Sequence, residues 1–227
     1  YDTRKDSDYY AKEIAKTLTA NSIPCLLSEK FSPTPSLSFS VVDKNAGGAI
    51  IVTSSHNPYE WNGIKYKSEY GGSAPLDVIK QVETEISKVN SNIATKPNNN
   101  LLETFDPKPN YIANIKKFID LDLINSNKLN ILVDYMYGAG IGFLDDFFDN
   151  KHTDVDELHK NPDPSFPGMD QPEPIPKNLQ EMHIRLLDNN YNVGIAFDGD
   201  ADRLGLFDGE GNYINTIEAF GLIILHL

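Results

Sequence analysis

Short apolar runs rich in β-branched residues alternate along this chain with stretches of helical periodicity, and the alternation breaks once and then resumes. Ala49-Ile50-Ile51-Val52-Thr53 is continuously apolar up to its last residue, which is how a strand reads when both of its faces are covered. Ahead of it, residues 8–21 place Ala11, Ile14, Ala15 and Leu18 on one helical face, with Asp6, Ser7 or Asp8 available as a cap. Pro24 to Leu27 reads as a short strand, Pro33-Thr34-Pro35 as a stiff turn, and residues 36–44 as a helix. Residues 77–89 give a further helix with Val78, Val82, Ile86 and Val89 on one side. Strands separated by helices call for crossovers instead of tight hairpins, so the pattern predicts α/β layers with largely parallel pairing.

Residues 91–110 interrupt the rhythm with three prolines and the run Asn98-Asn99-Asn100, a composition that buries little and reads as a linker. The alternation then resumes with a helix over 111–121, a strand over 129–133, and a glycine-rich turn from Gly138 to Gly142 leading into a helix through Phe148. The six prolines of residues 162–176 predict an irregular crossover. A helix over 178–189 turns Leu179, Met182, Leu186 and Leu187 inward, and a strand follows over 193–197. Residues 204–208 and 213–214 flank Gly209-Glu210-Gly211-Asn212 as a hairpin. The fold class expected is α/β, with two three-layer α/β/α domains at 1–107 and 108–208 built on mixed, mostly parallel sheets.

Composition narrows the partners. A formal net charge of −13 argues against nucleic acid and anionic membrane surfaces, although a locally positive site for a phosphorylated ligand is compatible with it. The longest apolar run, Gly221 to Leu225, is far short of the roughly 20 residues of a membrane span. The single cysteine, Cys25, cannot form an internal disulfide, which fits a reducing, cytoplasmic setting. No cation or histidine flanks it, so it reads as a structural thiol.

Two motifs carry chemistry. Asp198-Gly199-Asp200-Ala201-Asp202-Arg203 follows a strand, and in an extended loop its three carboxylates project from one side. Converging carboxylates repel and hold protons unless a hard cation joins them, and magnesium takes about six oxygen ligands. The plain alternative is a solvated acidic turn. A calcium-binding EF-hand loop is excluded, since Arg203 and Gly209 stand where that loop wants glycine and glutamate. Arg203 neutralises the acids or grips a phosphate with two parallel hydrogen bonds. The second motif, Thr53-Ser54-Ser55-His56-Asn57-Pro58, places hydroxyls just past a strand's carboxyl end, where ligands collect in α/β sheets. It lacks the Gly-x-Ser-x-Gly elbow of hydrolases and reads equally as a polar turn. Lys65, in Asn62-Gly63-Ile64-Lys65, is a proton donor or acceptor if desolvated and otherwise a surface charge.

Ser54-Ser55-His56-Asn57-Pro58 followed by Trp61-Asn62-Gly63-Ile64-Lys65 and then by the triple-aspartate loop resembles the α-D-phosphohexomutase family of phosphoglucomutases, phosphomannomutases and phosphoglucosamine mutases. Tyr1-Asp2-Thr3-Arg4, Pro33-Thr34-Pro35, Asp134 to Gly140 and Phe166-Pro167-Gly168 match in the same order. The resemblance implies an isomerase in which Ser55 is phosphorylated and Mg2+ bridges its phosphate to Asp198, Asp200 and Asp202. It further implies Lys65 as general acid/base, Arg203 as a phosphate contact, and His56 and Asn57 as residues that order the loop. Hexose 1-phosphate and 6-phosphate would interconvert through a bisphosphate, with hexose 1,6-bisphosphate as activator. The segment Tyr66 to Ala74 is similar to phosphoglucomutase-type members. Against the family pattern, the first domain lacks its opening strand and glycine-rich loop, Ser54 replaces a common alanine, and Tyr135 replaces a frequent proline. A third domain would begin at 209–227, so the chain is expected to be an inactive N-terminal portion. Two rival readings remain at this point: an Asp-x-Asp metal-dependent phosphatase or nucleotide-sugar transferase, and a non-catalytic metal- or phosphate-binding module.

Overall fold

A computed structural model describes residues 1–89, 96–148 and 152–226. In the first half, α1 (Ser7–Ala20), β1 (Cys25–Ser28), α2 (Thr34–Asp43), β2 (Gly48–Val52), β3 (Ile64–Ser68), α3 (Leu76–Ile86) and β4 (Leu102–Phe105) follow one another. β1 pairs in parallel with β4, and β2 pairs antiparallel with β3. The two ribbons share no ladder; between them lies a cavity of about 920 Å³ lined by residues that include Ile14, Leu18, Cys25, Leu27, Ile51 and Tyr66. Burial raises the pKa of the Cys25 thiol, which keeps it protonated.

The second half holds α4 (Lys108–Ile115), α5 (Leu121–Ser126), β5 (Leu129–Asp134), β6 (Thr153–Leu158), α6 (Gln180–Asp188), β7 (Val193–Phe197), β8 (Leu204–Asp208), β9 (Tyr213–Ile214) and α7 (Thr216–His226). One five-stranded sheet runs β6-β5-β7-β8-β9, parallel across its first three strands and antiparallel across its last two. Leu132 packs on one face with Met182, Leu186, Ala196 and Phe207, while Ile131, Val133 and Tyr135 pack on the other. Both faces of β5 are covered, which is why its sequence is continuously apolar over Ile131 to Val133. Chain order reverses direction across β5, with β6 on one side and β7 on the other. A crevice therefore opens at the carboxyl ends of β5 and β7.

Several expectations shift. The proposed linker falls partly on residues 91–95, outside the described residues, but its remainder contains β4 and the start of α4. Pro107 and Pro109 made that stretch read as loop, yet they occupy the cap and first turn of α4, where a missing N–H costs nothing. Residues 141–148 form turns instead of the expected helix. β6 escaped notice because Asp154, Asp156 and Glu157 interrupt an edge strand that alternates in burial. On α6, Leu187 is 60% exposed and does not join the core, unlike Leu179, Met182 and Leu186. The apolar side of α3 is also uncovered, with Ile86 65% exposed. β9 continues the second sheet past residue 208. Among the described residues, no helix is long and apolar enough to cross a membrane.

Candidate active site

The site forms where the end of β2 meets the end of β7. Beyond Val52, Thr53 N–H still donates to Gly63 O, at 3.0 Å, and the Thr53 hydroxyl accepts from Ser55 N–H at 2.9 Å. Ser55 then takes φ of 52°, a left-handed conformation that costs a non-glycine residue about 1–2 kcal/mol. That turn aims its hydroxyl out of the first half, where Ser55 Oγ donates to Asp198 Oδ2 at 3.0 Å. The serine is 8% exposed.

Asp198 follows β7 directly and organises its own loop. Its Oδ1 accepts from the backbone N–H of Asp202 at 3.0 Å and of Arg203 at 3.1 Å, which folds the segment back on itself and leaves Oδ2 for Ser55. Gly199 lets the two loops touch: a Cβ there would stand 2.7 Å from Ser55 O and 3.0 Å from the Pro172 ring. Asp200 is anchored by the first half, since its carbonyl accepts from Thr34 N–H at 2.9 Å and its Oδ2 from Thr34 Oγ1 at 2.5 Å. Lys65, on β3, sets its ammonium 2.6 Å from Asp200 Oδ2 and 2.9 Å from Asp202 Oδ2.

Asp198, Asp200 and Asp202 each bring one carboxylate oxygen within 4.8 Å of the others, the first two buried and the third exposed. Burial, reinforced by the charges of Asp200 and Asp202, pushes the Asp198 carboxyl up to about 8. Burial acts on Asp200 in the same sense, but its bonds to Lys65 and Thr34 outweigh it and the net shift is downward. Lys65 shows the converse: partial burial disfavours its charge, and the two aspartates more than restore it. Asp200 Oδ1 is buried and has no donor at all. An unpaired carboxylate oxygen in a cluster of hard oxygen donors, where burial and mutual repulsion raise the pKa of Asp198, fits a divalent cation such as magnesium.

The structure thus gathers Ser55, Lys65, Asp198, Asp200 and Asp202. Arg203 stands at the rim with its side chain 41% exposed, 3.5 Å from Glu173 and 3.9 Å from Asp202. Asn57 is exposed and spans its own turn, donating from Nδ2 to Ser54 Oγ at 3.1 Å. His56 is half-buried, and its Nδ1 has no partner. Three participants were missed. Thr34 read only as the middle of a proline turn and as part of a match, although a hydroxyl at the start of a helix is a usable donor to a neighbouring loop. Asp2 and Arg4 were read only as part of a match. Yet Asp2 Oδ2 accepts from Thr53 Oγ1 at 2.6 Å, and Arg4 reaches the serine loop itself. Their two-residue spacing, which sets side chains on one side of an extended segment, was the available signal.

The family model for phosphoglucomutase/phosphomannomutase alpha/beta/alpha domain I matches residues 1–92, and that for domain II matches residues 109–211. A phosphoglucosamine mutase of Clostridium kluyveri is 30% identical over 86% of this chain and 43% of its own length. A phosphoglucomutase of Neisseria meningitidis serogroup B is 32% identical over 80% of this chain and 38% of its own. A solved structure described as a candidate phosphomannomutase, from Thermus thermophilus, superposes with a TM-score of 0.90 at 31% identity, covering 99% of this chain and 51% of that one. The chain spans about half the length, or less, of the relatives it matches.

Proposed function

Because the chain belongs to the phosphoglucomutase/phosphomannomutase family, we propose that the whole protein interconverts hexose 1-phosphate and hexose 6-phosphate, with Ser55 carrying the phosphoryl group. The observation that carries this reading is the 3.0 Å hydrogen bond from Ser55 Oγ to Asp198 Oδ2. A serine with only a turn to shape would not need to face a buried acidic cluster from another layer of the molecule. For the same reason a phosphatase or nucleotide-sugar transferase built on the aspartates alone leaves Ser55 without a task.

In each half-reaction Ser55 Oγ and a sugar oxygen exchange one phosphoryl group, so that one O–P bond forms as the other breaks. The oxygen that receives phosphorus gives up a proton and the one that loses it regains a proton. Lys65 is the group assigned to give and take that proton. Asp198, Asp200 and Asp202, with an oxygen of the phosphate on Ser55, would hold Mg2+, and its chemistry when bound is neutralisation of phosphoryl charge. Arg203 is loosely tied and is assigned to grip phosphate. His56 and Asn57 order the loop, and hexose 1,6-bisphosphate serves as the phosphorylating activator. The similarity of Tyr66 to Ala74 to phosphoglucomutase-type sequences favours glucose as the hexose. These residues hold phosphoserine and cation but do not by themselves choose a sugar.

Intact-mass and fragment analysis after incubation with glucose 1,6-bisphosphate and Mg2+ tests this. We expect an adduct of about 80 Da on Ser55, absent from Ser55→Ala and not on Ser54. Mg2+ binding with no adduct on Ser55 would favour the non-catalytic binding module.

A further inference from the structure

Arg4 takes no part in the chemistry above, yet its side chain is wholly buried at the foot of the serine loop. Its Nη1 donates to Pro58 O at 2.8 Å and to Trp61 O at 3.0 Å. Its Nη2 donates to Ser55 O at 2.6 Å and to Asn57 O at 2.5 Å. Four carbonyls of one seven-residue turn therefore converge on one cation. Nε stands 3.3 Å from Asp2 Oδ2, and the guanidinium carbon lies 5.2 Å from the centre of the Phe166 ring. Asp2 is itself fixed by Ser7 Oγ at 2.8 Å and by Thr53 Oγ1 at 2.6 Å.

Charge alone does not account for this arrangement. An ammonium offers three donors around a point, whereas a guanidinium offers five in one plane, two on each outer nitrogen. Here each outer nitrogen serves two carbonyls, which is the pattern a fork can fill. The backbone it holds includes Ser55 in its left-handed conformation, a strain that persists only where the surroundings over-determine it. The ring beneath the guanidinium belongs to the proline-rich crossover of the second half, so Arg4 contacts both sides of the site.

We infer that Arg4 is a positioning residue, which holds the loop 55–61 so that the Ser55 hydroxyl faces the acidic trio, and that lysine cannot replace it. This rests on the phosphoserine reading of Ser55, and its test separates the two. Amide exchange, Mn2+ affinity and the rate of phosphoryl uptake from glucose 1,6-bisphosphate are measured on the whole protein and on its Arg4→Lys variant. We expect exchange across 54–61 to quicken about tenfold or more, and uptake at saturating bisphosphate to fall roughly a hundredfold, the worth of two lost charge-assisted bonds. Exchange in β5 and β7, which lie in the second half, and the Mn2+ affinity, whose three aspartates Arg4 does not bond, should stay within about threefold, a shift below one hydrogen bond's worth. A general loss of folding would instead quicken exchange everywhere. In that case Arg4→Gln, with a planar amide and two donors, is read in the same way. Loop protection and uptake unchanged in the substituted chain would overturn the inference. If the unsubstituted chain takes up no phosphate, the phosphoserine reading falls, and Arg4 is judged on loop exchange alone, where unchanged protection overturns it.

Discussion

The two halves of this molecule contribute to one site by different means. The acidic half stands on a five-stranded sheet packed on both faces, with Leu132, Val133 and Ala196 fully buried and Asp198 and Asp200 equally so. The serine half stands on two separate ribbons with a cavity of about 920 Å³ between them. Its functional loop is fixed by polar anchoring through Arg4, Asp2 and Thr53. A rigid, preorganised charge cluster thus faces a loop whose position depends on hydrogen bonds. The contrast suits the proposed reaction, in which the charge stays fixed while Ser55 is loaded and unloaded.

Core truncation should expose the contrast most strongly. Leu132→Ala removes a side chain closed in on all sides and is expected to cost about 3–5 kcal/mol, while Ile14→Ala, beside the existing cavity, should cost about 1–2. Equal losses in denaturant unfolding would mean that the first half is as tightly packed as the second. Next comes the seam. Gly199→Ala places a methyl group against Ser55 O and Pro172, so we expect a loss of about 2–3 kcal/mol together with slower phosphoryl uptake. Unchanged uptake would show that the loops need not touch. Thr34→Val deletes the hydroxyl bond that ties Asp200 to the first half and should cost about 1.5–2 kcal/mol, with weaker Mn2+ binding by calorimetry.

The smallest effect is a pH dependence confined to the second half. His159 Nδ1 lies 2.8 Å from Asp134 Oδ1 and its Nε2 3.8 Å from Glu181, with the Tyr137 ring packed against it. Burial disfavours its charge, but Asp134 and then Glu181 outweigh burial and the opposing Arg185, so its folded pKa is raised. A raised cationic pKa stabilises fully below the unfolded value, near 6.5, and the contribution is lost as pH rises through the folded value. His159→Gln should flatten that slope, worth about 1 kcal/mol or less, in thermal melts across this range. A slope that survives the substitution belongs to another group.

Much of this was legible in the sequence because the relevant signals are local. β2, β5 and β7 read from apolar continuity, and the triple-aspartate loop from its residue types, although that loop is a turn folded back on Asp198 and not the extended segment expected. What escaped was set by distant partners. β4 sits among asparagines and prolines and is a strand because β1 lies beside it. β3, with two lysines in five residues, is a strand because it pairs with β2. Thr34 and Arg4 look ordinary in sequence, and their importance comes from carbonyls and carboxylates that the fold delivers. The apolar side read on α3 shows the converse, since periodicity names such a side without supplying a neighbour to cover it.

The central claim is that one cation joins the phosphate on Ser55 to the aspartates of β7's loop. With Mn2+ in place of Mg2+, pulsed EPR on the Ser55-phosphorylated chain measures it directly through coupling between the metal and phosphorus-31. We predict a clear phosphorus coupling that disappears in Ser55→Ala while Mn2+ remains bound. Bound Mn2+ with no phosphorus coupling in the phosphorylated chain would contradict it.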